Sequence, residues 1–113
     1  MTMKPTTWNK LVRDRIPEII AETGEAPIMR TLEPDEFVAA LKDKVVEEAR
    51  EVATAASRDA LMMELADLTE VVDALVRAVG LDAAEIKAIR QQRAHSRGGF
   101  DKRVLLIETR CAG

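Results

Sequence analysis

The sequence has little of several residue types, and each shortage excludes a class of protein. Cysteine occurs once, at Cys111, so no disulfide can form within one chain, as is usual in a reducing cytoplasm. Only Trp8, Phe37 and Phe100 are aromatic, a poor supply for stacking the bases of a single-stranded nucleic acid. The net charge of −3 also lacks the basic excess with which proteins bind a phosphate backbone. We therefore expect no nucleic acid polymer as a partner.

Long apolar stretches are missing as well. No run approaches the ~18 residues that a membrane span needs, and residues 1–9 contain no apolar signal region. These features predict a cytoplasmic protein with no membrane partner. The length of 113 residues predicts a single domain over residues 1–113. A domain this small buries only about 60–70% of its unfolded surface, so we expect a subunit interface to help it.

Three stretches have the hydrophobic periodicity of amphipathic helices. The first covers about 34–56, and its apolar residues recur at spacings of three and four: Val38, Leu41, Val45, Ala49, Val52 and Ala56. The second covers about 58–79, between Ser57 as a candidate N-cap and Gly80 as a candidate C′ residue. The third covers about 83–97, after Asp82 as a candidate N-cap.

The flanking segments are less regular. Residues 17–23 are compatible with a short helix closed by Gly24. Residues 26–32 and 104–109 are apolar enough for short strands, and we expect these two segments to pair. The predicted fold class is therefore mainly α, with a short β-pair from the flanking segments.

Acidic residues mark one flank of the first long helix. At 100° per residue, Glu47, Glu48 and Glu51 form a fan beside the apolar stripe. Glu48 lies nearest the boundary of the core, and Glu47 lies furthest around the fan.

The second long helix carries two adjacent rows. The main stripe consists of large apolar residues: Leu61, Leu65, Leu68, Val72, Leu75 and Val79. The row beside it consists of small or apolar residues and two acids: Ala60, Glu64, Asp67, Val71, Ala74 and Ala78. Because such a row is expected to face protein, its carboxylates need cations or protons. Glu64 and Asp67, at i and i+3, project to the same side and are able to share one ion.

Two antiparallel helices would bring both groups of acids together. Several carboxylate oxygens at one point suit a hard cation, Mg²⁺ or Mn²⁺, which polarises phosphoryl oxygens and activates water. The alternative is a solvated acidic face in which Lys44 pairs with Glu48 and Arg50 with nearby acids. We expect Glu70 and Asp73, near Arg77 on the far side of the second helix, to be solvated in this way. The interruption of an apolar row by two acids favours the metal site.

Three segments of the chain resemble one family. Glu47-Glu48-x-x-Glu51, followed after twelve residues by Glu64-x-x-Asp67, resembles the EExxE…ExxD signature of the MazG-like all-α nucleotide pyrophosphohydrolases. Residues 9–20 (NKLVRDRIPEII) are similar to the opening segment of the phosphoribosyl-ATP pyrophosphohydrolase-like subgroup. Residues 97–103 (RGGFDKR) are similar to the closing motif of that subgroup.

This resemblance implies a four-helix-type bundle that is completed by oligomerisation, as a homodimer or homotetramer. It implies that Mg²⁺ is held by acids of both motifs: Glu47, Glu48, Glu51, Glu64 and Asp67. The implied reaction is hydrolysis of a nucleoside triphosphate between its α and β phosphates, giving a monophosphate and pyrophosphate. A glutamate that is not bound to the ion would be the base, and we expect Glu47 in that role. The phosphates need positive partners, for which the candidates are Lys10, Arg13, Lys44, Arg93, Arg97, Lys102 and Arg103.

Two alternatives remain open at the level of sequence. One is the phosphoribosyl-ATP pyrophosphohydrolase of histidine biosynthesis, but those enzymes carry a Tyr-His pair soon after the second acidic motif. The matching stretch here is Leu68-Thr69-Glu70-Val71-Val72, so we expect a house-cleaning enzyme instead. The other alternative is a non-catalytic helical module that binds a nucleotide or a protein partner.

Overall fold

The computed structural model describes residues 4–112, which contain four helices. They are α1 (Ile16–Glu22), α2 (Pro34–Thr54), α3 (Arg58–Ala78) and α4 (Ala83–Arg97). The three long helices lie where the hydrophobic periodicity predicts them, and α1 begins and ends within a residue of the predicted 17–23. None of these helices combines the length and the apolar character that crossing a membrane requires. The prediction of a mainly α chain is confirmed.

The helix ends follow local capping signals. The Ser57 hydroxyl accepts a hydrogen bond from the Ala60 backbone N–H at 3.1 Å and caps α3. Gly80 follows α3 with φ of +71°, the left-handed conformation that glycine adopts without strain. Asp82 caps α4 by accepting from the Ala84 N–H at 2.8 Å. The predicted caps of both helices are confirmed.

The N-terminus of α2 is capped by an arrangement that the sequence pattern did not reveal. Glu33 occupies the N-cap position and forms a reciprocal capping box with Glu36. Arg30 donates two hydrogen bonds to Glu36, at 2.7 and 3.1 Å. These bonds, with the backbone N–H of Glu33, lower the pKa of Glu36 to about 2. Glutamate is not among the residue types preferred at an N-cap, so composition alone did not mark this position.

The predicted strands are wrong. Within residues 4–112 the structure contains no strand, and the segments 26–32 and 104–109 are irregular. The side chains from Val104 to Ile107 are between 75% and 87% exposed. A short apolar run does not determine its own secondary structure, and a lone two-stranded ribbon is only marginally stable in water.

The chain divides into two compact units, Met1–Leu81 and Asp82–Gly113. The first contains α1, α2 and α3, and the second contains α4 and the segment that follows it. The assignment of residues 1–113 to a single domain stays a prediction.

Inside the first unit, α2 and α3 pack against each other as a helical hairpin joined by residues 55–57. In residues 4–112, the buried residues are Leu41 and Glu48, which are 3% and 9% exposed. Ala49, predicted to belong to the apolar stripe of α2, is exposed, and Glu48 takes the inner position one residue earlier. The hairpin therefore encloses a carboxylate at its centre.

The two rows of α3 differ in burial. The row that contains the acids is partly buried at five positions: Ala60, Glu64, Asp67, Val71 and Ala74. In the main apolar stripe, by contrast, four residues are between 38% and 45% exposed: Leu61, Leu65, Val72 and Val79. The acidic row therefore faces protein, as expected, while much of the leucine-rich stripe remains in solvent.

Candidate metal centre

Three carboxylates converge between α2 and α3. Glu48 comes from α2, and Glu64 and Asp67 come from successive turns of α3. One carboxylate oxygen from each lies within 4.8 Å of the oxygens of the other two. Oxygens on opposite sides of an octahedral Mg²⁺ ion lie about 4.2 Å apart, because each Mg–O bond is about 2.1 Å long. The oxygen separations in this group, which we call the acidic triad, are thus close to those around one hard cation.

Glu48 is the member of the triad that the fold encloses. Its side chain is only 12% exposed, and its nearest cation is Lys44, one turn earlier on α2, at 3.7 Å. Removing a carboxylate from water is costly unless a cation or hydrogen-bond donors compensate it. A single lysine at this distance, shared with Glu47, leaves coordination capacity on Glu48 for a further cation.

The crowding of negative charge changes the titration of Glu64. Partial desolvation, followed by repulsion from Glu51, Asp67 and Glu48, raises the pKa of Glu64 above its ordinary value. Repulsion from Glu51 places that residue in the electrostatic environment of the triad, although the Glu51 side chain is exposed. Four of the five predicted metal-binding acids thus belong to one connected negative region.

Glu47, the fifth of these acids, has different surroundings. Its carboxylate receives hydrogen bonds from Lys44 at 3.3 Å and from Lys10 at 3.4 Å. Desolvation acts to raise the pKa of Glu47, but the hydrogen bonds and charges of the two lysines outweigh it and hold the pKa below its ordinary value. Glu47 is therefore a paired carboxylate beside the triad.

A shallow depression of about 490 Å³ lies along α2. It is lined by residues of that helix: Asp43, Val46, Glu47, Arg50 and Glu51. A smaller hollow lies between α2 and residues 9–11, and Lys10, Lys44 and Glu47 are among its lining residues. Glu47 is among the lining residues of both depressions.

The segment before α1 supplies cations to the acids. Arg13 donates to Asp67 at 2.8 Å, and Lys10 reaches Glu47. The Lys10 ammonium also lies 5.3 Å from the centre of the Trp8 ring, a cation–π distance. Sequence spacing could not indicate these pairs, because 54 and 37 residues separate their partners.

The structure brings three of the predicted phosphate-binding cations to the acids, namely Lys10, Arg13 and Lys44. The other four are exposed in the second unit: Arg93 and Arg97 on α4, and Lys102 and Arg103 after it. Their participation in the site stays a prediction.

Among known proteins, an uncharacterized protein of Mycolicibacterium smegmatis is 51% identical to this chain over 53 residues. The matched segment covers 47% of this chain and 54% of that protein, or about half of each. No family model and no solved structure matches this chain. The family suggested by the sequence motifs therefore stays a prediction.

Proposed function

We propose that this chain is a Mg²⁺-dependent nucleoside triphosphate pyrophosphohydrolase with a house-cleaning role. The observation that carries the proposal is the convergence of Glu48, Glu64 and Asp67 from two helices onto one point. The resemblance of three ordered sequence segments to MazG-like enzymes supports the choice of reaction. A solvated acidic face would not require a carboxylate at the buried centre of a helical hairpin.

The acidic triad would hold the ion, with Glu51 at its edge. Bound there, Mg²⁺ or Mn²⁺ would polarise a phosphoryl oxygen and lower the pKa of water. Carboxylates are suitable ligands because both ions prefer hard oxygen donors. Glu48 fixes the position of the site, since its side chain has the least freedom to move.

Glu47 is the group that accepts the proton of the attacking water. A glutamate is ionised at neutral pH, as a proton acceptor must be, and the two lysines hold the pKa of Glu47 lower still. The water oxygen bonds to the α phosphorus, and the bond from that phosphorus to the bridging oxygen of the β phosphate breaks. The electron pair leaves with pyrophosphate. When the substrate phosphates draw Lys10 and Lys44 away from Glu47, its pKa rises toward the ordinary value and it becomes a better base.

The nearby cations have two successive roles in this scheme. Before substrate binds, Lys10, Arg13 and Lys44 compensate the charge of the acids. With most of the charge of the triad compensated by a bound divalent ion, the same cations would be available to the triphosphate. A role in phosphate binding for the four cations of the second unit, Arg93, Arg97, Lys102 and Arg103, stays a prediction.

Pyrophosphate release tests the proposal. Purified protein is incubated with Mg²⁺ and a panel of normal and noncanonical nucleoside triphosphates, together with phosphoribosyl-ATP. We expect Mg²⁺-dependent release from at least one triphosphate, its loss in Glu48→Gln, and its retention in Glu70→Gln, which alters an exposed acid of α3.

The same panel separates the alternatives. Turnover restricted to phosphoribosyl-ATP would establish the histidine-pathway activity and overturn the house-cleaning role. Binding of nucleotides in calorimetry without turnover of any of them would identify a binding module and overturn the enzyme.

A further inference from the structure

Trp8 lies in solvent beside the candidate site. The side chain is 67% exposed, which is unusual for the largest apolar residue type and the only tryptophan in the chain. The other strongly exposed aromatic residue is Phe100, in the second unit. An exposed indole has an open π face, and such a face is the surface on which a planar base stacks.

Two contacts made by Lys10 connect the Trp8 ring to Glu47. The Lys10 ammonium lies 5.3 Å from the ring centre and 3.4 Å from a carboxylate oxygen of Glu47. Asn9, between Trp8 and Lys10, has φ of +42°, in the left-handed region that asparagine tolerates better than most residues. The chain therefore turns at Asn9. The indole ring of Trp8 lies next to Lys10, which in turn contacts Glu47.

We propose that Trp8 is the base-contacting residue of the site and stacks on the nucleobase of a nucleotide whose phosphates lie at Lys10, Lys44 and the acidic triad. This role rests on the proposed function, since it assumes that phosphates are held there. The charges agree with this orientation: the lysines attract the phosphates toward Glu47, which leaves the uncharged base to lie outward along the segment that carries Trp8. The ligand class is a nucleotide with a planar base, and stacking contributes affinity without selecting one base.

Intrinsic fluorescence reports on this contact directly. The chain contains one tryptophan and no tyrosine, so emission excited at the red edge of the indole band comes from Trp8 alone. The protein is titrated in Mg²⁺ with a nucleoside α,β-methylene triphosphate, and in parallel with inorganic tripolyphosphate, which lacks a base. Free tryptophan amide in the same solutions corrects for light that the base absorbs.

We expect saturable quenching by the nucleotide analogue and little change with tripolyphosphate. Equal changes with both ligands would mean that the ring only senses the movement of Lys10, and would overturn the proposal. Absence of quenching at analogue concentrations where calorimetry detects binding would also overturn it. If calorimetry detects no binding and no nucleotide is hydrolysed, the proposed function fails, and the role of Trp8 fails with it.

Substitutions of Trp8 distinguish a role in base stacking from a purely structural role. Trp8→Leu is expected to raise KM for triphosphates by at least about five-fold while kcat stays near its wild-type value, because stacking is worth about 1–3 kcal/mol per base. Trp8→Phe should recover part of the loss, and Met29→Leu, a control at a residue that is 68% exposed in another irregular segment, should change neither constant. An active Trp8→Leu variant with wild-type KM would overturn this inference and leave the hydrolase standing.

The competing explanation is that a second copy of the chain packs against the exposed indole ring of Trp8. If it covered Trp8, the emission of the ligand-free protein would be blue-shifted and would move to the red on dilution. We expect emission typical of an exposed indole at all concentrations, and a dilution-dependent shift would overturn the proposal.

Discussion

Glu48 is the residue on which the proposed site depends most, because it is a buried carboxylate at the contact between two helices. We predict that Glu48→Gln and Asp67→Asn each lower turnover by at least about 100-fold, since even outer-shell partners of bound metals are worth about 10- to 100-fold. Both substitutions preserve volume and remove one negative charge. Circular dichroism should therefore show that the helices remain folded.

Matched substitutions on the exposed side of α3 serve as controls for these two. Glu70→Gln and Asp73→Asn make the same chemical changes in the same fold, at residues that lie in solvent. They should leave turnover unchanged. Near-wild-type activity of Glu48→Gln or Asp67→Asn in saturating Mg²⁺ would show that the site is wrongly assigned.

Glu64 gives a prediction about pH. Because desolvation and neighbouring acids raise its pKa in the folded protein, the ionised form destabilises the fold. That destabilisation is fully present above the folded pKa and disappears as pH falls below the unfolded pKa. In EDTA, Glu64→Gln should therefore raise the melting temperature at neutral pH, and its advantage should vanish in acid.

Glu70→Gln again provides the reference for Glu64, since it removes an exposed acid from the same helix. The melting temperature of Glu70→Gln in EDTA should not rise above that of the wild type at neutral pH. If Glu64→Gln melts like the wild type at neutral pH, the crowding of charge in the triad is not significant for stability.

The convergence of the acids was predictable from the sequence, and so was Lys44, one turn before Glu48, whereas Arg13 was not. Glu64 and Asp67 interrupt a row of small apolar residues, and helical periodicity converts that local pattern into a shared direction. The pairing of Arg13 with Asp67 depends on how an irregular segment returns to α3, which no local pattern encodes.

At the scale of elements, prediction succeeded where structure is determined locally. Ser57, Gly80 and Asp82 mark helix ends by hydrogen bonds or backbone conformations within a few residues of themselves. The strands failed because a strand needs a partner, and the segments 26–32 and 104–109 have no ladder in the structure. An apolar run without a partner has no reason to be extended rather than irregular.

The exposed stripe of α3 predicts self-association. Leu61, Leu65 and Val72 lie along one face of α3, Val79 follows at its C-cap, and each is more than a third exposed. A face of this kind is stabilised by burial against another helix. We predict that light scattering at micromolar concentration shows at least a dimer.

Leu65→Glu should weaken the association by about ten-fold or more, because burial of a leucine contributes about 1.5–3 kcal/mol. Ile28→Glu introduces the same charge at a residue that is 96% exposed in an irregular segment, and it should have no effect. Detection of a 12.5 kDa species alone in the wild-type protein would contradict the prediction.

At the scale of the whole molecule, the small core and the crowded acids predict stabilisation by divalent ions. An ion that binds only the folded state at about ten times its Kd adds about 1.4 kcal/mol. For a chain of this size that corresponds to a rise of roughly 5 °C in the melting temperature. Thermal melts in EDTA and in millimolar Mg²⁺ or Mn²⁺ measure this shift.

The rise in melting temperature with Mg²⁺ or Mn²⁺ should be absent in Glu48→Gln and present in Glu70→Gln. A wild-type midpoint that is the same in EDTA and in Mg²⁺ would count against a metal centre in the folded chain. An equal rise in both variants would mean that the ions act elsewhere on the protein.

Hydrolysis in ¹⁸O-labelled water shows whether water attacks the α phosphorus of a nucleoside triphosphate, as proposed. The products are separated and their masses are measured by mass spectrometry, with Glu48→Gln as the inactive control. The proposed reaction predicts one ¹⁸O atom in the nucleoside monophosphate and unlabelled pyrophosphate. Label in the pyrophosphate, or release of orthophosphate with a nucleoside diphosphate, would contradict it.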